Sequence, residues 1–276
     1  MTSKSAVELG QLISELEERF PLSGAESWDA PGLICGSAHQ PIYRVMVTVD
    51  ITAAVVQEAI DAGCDLLLAH HPYLLRGVNS VAETTSKGTV LASAIRAGLA
   101  IYAAHTNADI VTDGVSDIIA KRLGLQQITA LEPAGEVVGH GRVGYLTDAI
   151  SLGELARSLA QVLPATATGI RVAGDFDQLV EKVALCGGAG DDFLPNAIAE
   201  RADVYISSDL RHHVVQDVRE ISATGGVAPA VVDVAHWAAE WLWLEQLAGE
   251  LRTLHGELDV KVCDLRTDPW DFVVTQ

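Results

Sequence analysis

A chain of 276 residues, 49% of them hydrophobic, has enough apolar material for one or two buried cores, and two domains are expected. Its 37 acidic against 18 basic side chains leave a formal net charge of −19, which repels phosphate backbones and anionic lipid surfaces, so neither nucleic acid nor membrane is an expected partner. The opening Met1-Thr-Ser-Lys-Ser lacks the apolar core of a signal peptide and no run nears the roughly 18 apolar residues of a membrane span, while Cys35, Cys64, Cys186 and Cys263 form no C-x-x-C pair; a soluble cytoplasmic protein with reduced thiols is expected.

The first regular elements alternate between apolar β-rich runs and capped helices. Val45–Asp50 reads as a strand, Thr52 as the N-cap of a helix over 53–62, Gly63 as its C-terminal stop, and Leu66–Ala69 as the next strand. A second round follows: a helix near 89–97 ended by Gly98, a strand over 99–104, and a helix over 115–123 before Gly124. Near-continuous apolar strands of this kind indicate parallel sheets flanked by helices. Glu132-Pro-Ala-Gly135 breaks the composition and marks the expected domain boundary. Beyond it come a strand from Val137 to Leu146, a helix over 152–163, strands near 170–173 and 183–186, a helix after Gly187-Gly-Ala-Gly190, a strand over 203–207 and a helix over 212–221. Thr224-Gly-Gly226 breaks the chain again, before a strand at 230–234, a long helix over 235–254 and an edge strand at 259–263. The expected organisation is α/β, with 1–134 plus 226–276 as one domain and 135–225 inserted as a second.

Three ligand-rich segments each follow an apolar strand: His70-His71-Pro72, His105-Thr-Asn-Ala-Asp109, and Asp233-Val-Ala-His236-Trp-Ala-Ala-Glu240. Ligands of open α/β sheets bind beyond the carboxyl ends of parallel strands, so the three segments are expected to face one side. Consecutive strand residues point to opposite faces, and Pro72 biases His71 toward an extended conformation, so His70 and His71 should diverge. Diverging imidazoles suit two metal ions better than one. His236 and Glu240, four residues apart near a helix start, stack on one face with about 6 Å between Cα atoms, which suits Glu240 to bridge two ions while His236 binds one. Asp109 supplies a second carboxylate.

Each segment alone has a plainer reading: a solvated histidine pair, helix capping by Asn107 or Asp109, and a surface i, i+4 pair. Their coincidence favours a metal site. His212-His213 reads as a solvated helix start, and a role near the site or substrate is the lesser alternative. Gly187-Gly-Ala-Gly190 lacks the lysine of a P-loop and the spacing of a dinucleotide fingerprint, so a tight turn is expected over an anion cradle. Trp237, Trp241 and Trp243 are read as core or subunit packing. No G-x-S-x-G nucleophile elbow is present.

At these residues the sequence resembles the NIF-three-like proteins, also called GTP cyclohydrolase 1 type 2 homologues. The matching stretches are Glu26-Ser-Trp28-Asp29 with Gly32-Leu33 and Gly36, Ala69-His-His-Pro72, His105 to Asp109 with Gly114-Val-Ser-Asp117 and Leu123-Gly-Leu125, Ala202-Asp-Val-Tyr-Ile206 with Asp209, and Asp233 to Glu240. The resemblance implies a dinuclear metal centre ligated by His70, His71, Asp109, His236 and Glu240, with His105 close to it, in a toroidal homohexamer. Two departures, Ala30-Pro31 after the Trp-Asp pair and Ser207-Ser208 in place of a Thr-Gly pair, touch loops around the site and leave the ligands intact.

Five protein ligands shared by two ions leave coordination positions open, as in catalytic sites. Mixed imidazole and carboxylate ligation favours Zn, Mn, Fe, Co or Ni over calcium. Two such ions lower the pKa of a water toward ~7 and hold an electrophile beside it, the requirements for hydrolysis. A metal-dependent hydrolase of a nucleotide-like small substrate is therefore expected, and the family name points to opening of a guanine imidazole ring at C8. The alternative from another class is a non-enzymatic metal-binding adaptor or metal-handling ring protein. Direct DNA binding conflicts with the charge.

Overall fold

The structure is a computed structural model that describes residues 6–135 and 139–275. In chain order, β1 (Val7–Glu8), α1 (Leu9–Arg19), β2 (Gly32–Cys35), β3 (Pro41–Ile42), β4 (Arg44–Thr48), α2 (Ala53–Asp61), β5 (Leu66–Ala69), α3 (Ser86–Ala97), β6 (Ala100–Ala103) and the one-turn α4 (Thr106–Asp109) come first. Then follow α5 (Val115–Arg122), β7 (Gln126–Pro133), β8 (Gly139–Ser151), α6 (Leu152–Val162), β9 (Arg171–Ala173), β10 (Leu179–Ala189), α7 (Leu194–Ala199), β11 (Val204–Ser208), α8 (His212–Ala223) and β12 (Ala230–Val234). Last are α9 (His236–Leu254) and β13 (Asp259–Val262). Two compact units result: unit 1 is Met1–Ala108 with Leu244–Thr267, and unit 2 is Asp109–Trp243 with Asp268–Gln276.

Unit 1 is built on a five-stranded sheet in the order β13-β4-β5-β6-β2, in which only the β6–β2 pair is antiparallel. The central strands are apolar on both faces because both faces are covered. Leu67 and Ile101 pack with Val55, Val56 and Ala59 of α2 and with Val90 and Ala94 of α3. Leu66 and Leu68 point the other way by strand alternation and are equally buried. Each such leucine stabilises the fold by about 1.5–3 kcal/mol relative to an exposed one. The Thr52 hydroxyl accepts from the Val55 amide at 3.2 Å and starts α2 as expected. Missed before Val45 are α1, which buries Leu9, Leu12 and Leu16 along one stripe, and the strands β1 to β3.

Unit 2 holds a six-stranded sheet in the order β7-β8-β10-β11-β12-β9. Here the expectation of mostly parallel pairing needs correction: β10-β11-β12 are parallel, while β7-β8, β8-β10 and β12-β9 are antiparallel. The expected domain bounds shift with it. Pro133 pairs with Gly139, so the break at Glu132-Pro-Ala-Gly135 belongs to a hairpin between β7 and β8 rather than to a linker. The strand at 230–234 pairs with β11 from Val204↔Ala230 to Ser208↔Val234, and so belongs to the second sheet rather than the first. A buried apolar strand flanked by helices reads alike in either sheet, and only pairing separates the cases. The expected strand start at Val137 lies outside the described residues. The chain alternates between the units, each being built from two segments. Among the described residues no helix is long and apolar enough to cross a membrane.

Candidate metal centre

Parallel pairing in unit 1 brings the carboxyl ends of β4, β5 and β6 level. Thr48 pairs with Ala69 and Ala69 with Ala103, and the pairing runs on past the strands: the His70 and His71 amides donate to the Thr48 and Val49 carbonyls at 3.0 and 2.9 Å. The next residues on these three strands carry the chemistry, namely Asp50, His70 with His71, and His105. The three imidazoles form a triangle with centroid separations of 5.1, 5.2 and 5.4 Å, and their ligand atoms lie within 4.8 Å of one another.

Each ring in this triangle is held through Nδ1. His70 Nδ1 donates to the Ala104 carbonyl at 2.9 Å, His71 Nδ1 to Asp50 Oδ1 at 2.7 Å, and His105 Nδ1 to Asp29 Oδ1 at 2.8 Å. A carbonyl or carboxylate oxygen only accepts, so Nδ1 carries the proton and Nε2 is presented as the ligand atom. The expected divergence of His70 and His71 needs correction: the strand has ended at Ala69, and the two rings, one anchored beyond β6 and the other beyond β4, come within 5.1 Å centroid to centroid. Asp29 also accepts from the Thr106 hydroxyl at 2.5 Å, the Thr106 amide at 3.1 Å and the Ala30 amide at 2.7 Å. Burial works to raise its pKa, but these bonds from His105, Thr106 and Ala30 outweigh burial and bring the carboxyl down to about 2. Trp28 meets the His105 ring edge-on at 5.9 Å.

In unit 2 the same levelling applies, since β10 and β11 pair as far as Ala189↔Ser208 and β12 keeps pace at Val234. His236, the first residue of α9, places Nε2 2.8 Å from Glu240 Oε1 one turn on, and its Nδ1 donates to Asp209 Oδ2 at 2.8 Å. Burial lowers the His236 pKa, yet the charges and hydrogen bonds of Glu240 and Asp209 win and lift it to about 11. Asp209 itself is lowered by its bond to His236, and sits in the left-handed region at φ 55°, a conformation that aspartate tolerates better than most residues. Glu240 is only 3% exposed. Asp109 opens this unit, and burial followed by the Asp109 charge pushes the Cys186 thiol far up, which keeps it protonated and unsuited to ligation.

Gly187 to Gly190 is neither a tight turn nor an anion cradle: its first three residues complete β10. Gly188, at φ +73°, is the informative one, because a Cβ there would stand 2.6 Å from Glu240 Oε1 and 3.3 Å from His236 Nε2. A glycine makes room for the pair. Asn107, one of the capping candidates, accepts from the His105 amide at 2.9 Å and donates to the Phe20 carbonyl at 2.8 Å, a structural role. His212 and His213 stack edge-on at the exposed start of α8 and join neither cluster. Trp237 and Trp243 are buried, as core packing predicts. Sequence reasoning missed the anchoring roles of Asp29, Asp50 and Asp209; Asp50 follows its strand just as His71 does, a signal that strand-end position alone supplies.

Imidazoles braced through Nδ1, with carboxylates beside them, fit divalent transition-metal ions. The family model described as Duf34/NIF3 (NGG1p interacting factor 3) matches residues 7–269. A "GTP cyclohydrolase 1 type 2 homolog" of Streptomyces coelicolor is 42% identical over 271 residues, covering 95% of this chain and 93% of the relative. A protein of the same description from Mycobacterium leprae is 31% identical, covering 97% and 96% of the two chains. A Bacillus cereus protein related to NIF3 superposes with a TM-score of 0.87 at 24% identity over 97% of this chain and 100% of that one, which shows a shared fold. The chain belongs to the Duf34/NIF3 family.

Proposed function

We propose that this chain holds two divalent metal ions through His70, His71, Asp109, His236 and Glu240, and hydrolyses a nucleotide-like small substrate. One observation carries the reading. The Nδ1 atoms of His70, His71 and His105 are all bonded to oxygen acceptors, so each of these rings presents Nε2 in the tautomer that ligation requires, while the proton that His236 Nε2 shares with Glu240 is the one a bound ion would displace. In this reading His70, His71, Asp109, His236 and Glu240 would hold the ions, and Zn, Mn, Fe, Co or Ni suits the donor set.

When bound, such ions supply Lewis-acid polarisation and a water acidified toward neutral pH. The chain's own residues do the rest. Asp50 and Asp209 fix the planes of His71 and His236. His105, braced by Asp29, stands beside His70 and His71 with Nε2 available to hold or pass a proton. Free cysteines suit a reducing cytoplasm, and the family resemblance supports a homohexamer.

Elemental analysis tests the metal set: His71→Ala and Glu240→Ala should lower bound metal with the circular-dichroism spectrum unchanged, and an unchanged metal content would overturn the ligand assignment. Turnover tests the chemistry. Metal-loaded protein screened against GTP, other nucleotides and phosphoesters should release product in a His71-dependent way, whereas silence with every metal in the set would favour the adaptor or metal-handling reading.

A further inference from the structure

Unit 2 contains a ligand-sized groove near Asp209, the brace of His236: Leu210 lines it, and its Arg171 lies close enough to Asp209 to help lower that carboxyl. This groove of about 390 Å³ is bordered by the edge strand β9, the end of β12 and one face of α8, and lies within the range of small-molecule sites, about 300–1,000 Å³. His212, Gln216 and Arg219 line it from α8 at i, i+4 and i+7 spacing, one stripe of the helix. Arg171 lines it from β9, in register opposite Asp233 of β12, and pairs with the Asp233 carboxylate. Val215 and Val231 contribute apolar wall.

Two features of this groove are unexplained by folding alone. Arg219 is exposed and makes no salt bridge among the described residues, so two guanidinium groups and an imidazole collect in one groove on a chain of net charge −19. Asp233 is 9% exposed, and its Oδ1 has no hydrogen-bond partner among the described residues although Oδ2 meets Arg171. A buried acceptor left without a donor loses its hydration and gains nothing in return. A bound group that brings both negative charge and one proton would satisfy all of these at once. Burial raises the Asp233 pKa against the lowering effects of Arg171 and the Leu210 amide, which eases the sharing of a proton there.

We propose that this groove binds a phosphomonoester with an apolar body, its phosphate held by Arg171 and Arg219 and joined to Asp233 Oδ1 through one shared proton. Phosphate suits the groove better than carboxylate because its charge approaches −2 near neutral pH and it offers three oxygens to two guanidinium forks. The apolar walls require more than the inorganic ion.

Titration calorimetry on the full chain, dialysed against a chelator so that no metal centre competes for the anion, tests the proposal. Phenyl phosphate should bind saturably at one site per chain, with inorganic phosphate and benzoate each weaker by about tenfold. Arg219→Gln, at an exposed position that folding does not need, should weaken phenyl phosphate by at least about tenfold, and Arg219→Lys should recover part of the loss. Absence of saturable binding at millimolar phenyl phosphate, or equal binding by wild type and Arg219→Gln, would overturn the site. Benzoate binding as tightly as phenyl phosphate would overturn the choice of head group. Binding that appears only after divalent metal is restored would place the anion at the metal centre and overturn the groove.

Discussion

His71 Nδ1 lies 2.7 Å from Asp50 Oδ1, an imidazole and a carboxylate that follow adjacent parallel strands and meet because the register of β4 and β5 levels their ends. The contact orients the ring and makes its other nitrogen a better donor. Asp50→Ala should therefore weaken metal binding by about 10–100-fold while secondary structure is kept. Competition against a chromogenic chelator measures the loss, and an affinity equal to wild type would show that the ring needs no brace.

Gly188→Ala is the corresponding test in unit 2. The new methyl would sit 2.6 Å from Glu240 Oε1, and the residue would have to hold φ +73°. The left-handed backbone alone costs an alanine about 1–2 kcal/mol. Urea denaturation should show at least that loss, and metal content should fall with it. Stability lost with metal content unchanged would mean that Glu240 had moved without consequence.

Arg142 and Asp117 form a buried pair at 2.9 Å in unit 2, and the same guanidinium donates to the carbonyls of Val111, Gly139 and Gly141. Arg142→Met leaves the carboxylate and three carbonyls short of a donor. A destabilisation of about 3–5 kcal/mol is expected by chemical denaturation. A cost below about 1 kcal/mol would place the pair with solvent-screened surface bridges instead.

Acid sensitivity follows from Asp29 and Asp117. In both, burial works to raise the pKa; at Asp29 it is outweighed by bonds from His105, Thr106 and Ala30, and at Asp117 by the Asp113 amide, Lys121 and Arg142. Folded-state values below the unfolded ones mean that the unfolded chain binds more protons, so these groups stabilise the fold above the unfolded pKa. For Asp29 the stabilisation is complete above its ordinary value of 3.8 and is lost as pH falls toward about 2. Thermal scans of the metal-free protein between pH 5 and 2 should show Tm falling with acid, and Asp29→Asn should flatten part of that slope. An identical slope in the variant would remove Asp29 from the acid response.

The helices and strands with strong local signals were legible in the sequence, as at α2, where a Thr52 cap opens a stripe of Val55, Val56 and Ala59. So was the i, i+4 contact of His236 and Glu240, because helical pitch sets it. The pairing of β12 was not legible: its apolar run is compatible with either sheet, and the partner that buries it, β11, lies more than twenty residues back. The break at Glu132-Pro-Ala-Gly135 reads alike as a linker or as a strand end, and only the pairing of Pro133 with Gly139 separates the two.

By itself, then, the sequence determined which side chains carry ligand chemistry and that each follows a strand, since residue type and periodicity are local properties. Tertiary structure alone decided what orients them. The braces from Asp50 to His71, Asp29 to His105 and Asp209 to His236 join residues 21, 76 and 27 positions apart. No local spacing encodes such contacts; they exist because parallel register sets the carboxyl ends of β4, β5 and β6 level, because antiparallel β2 brings its amino end and Asp29 beside the end of β6, and because a glycine at 188 leaves the space that Glu240 and His236 fill.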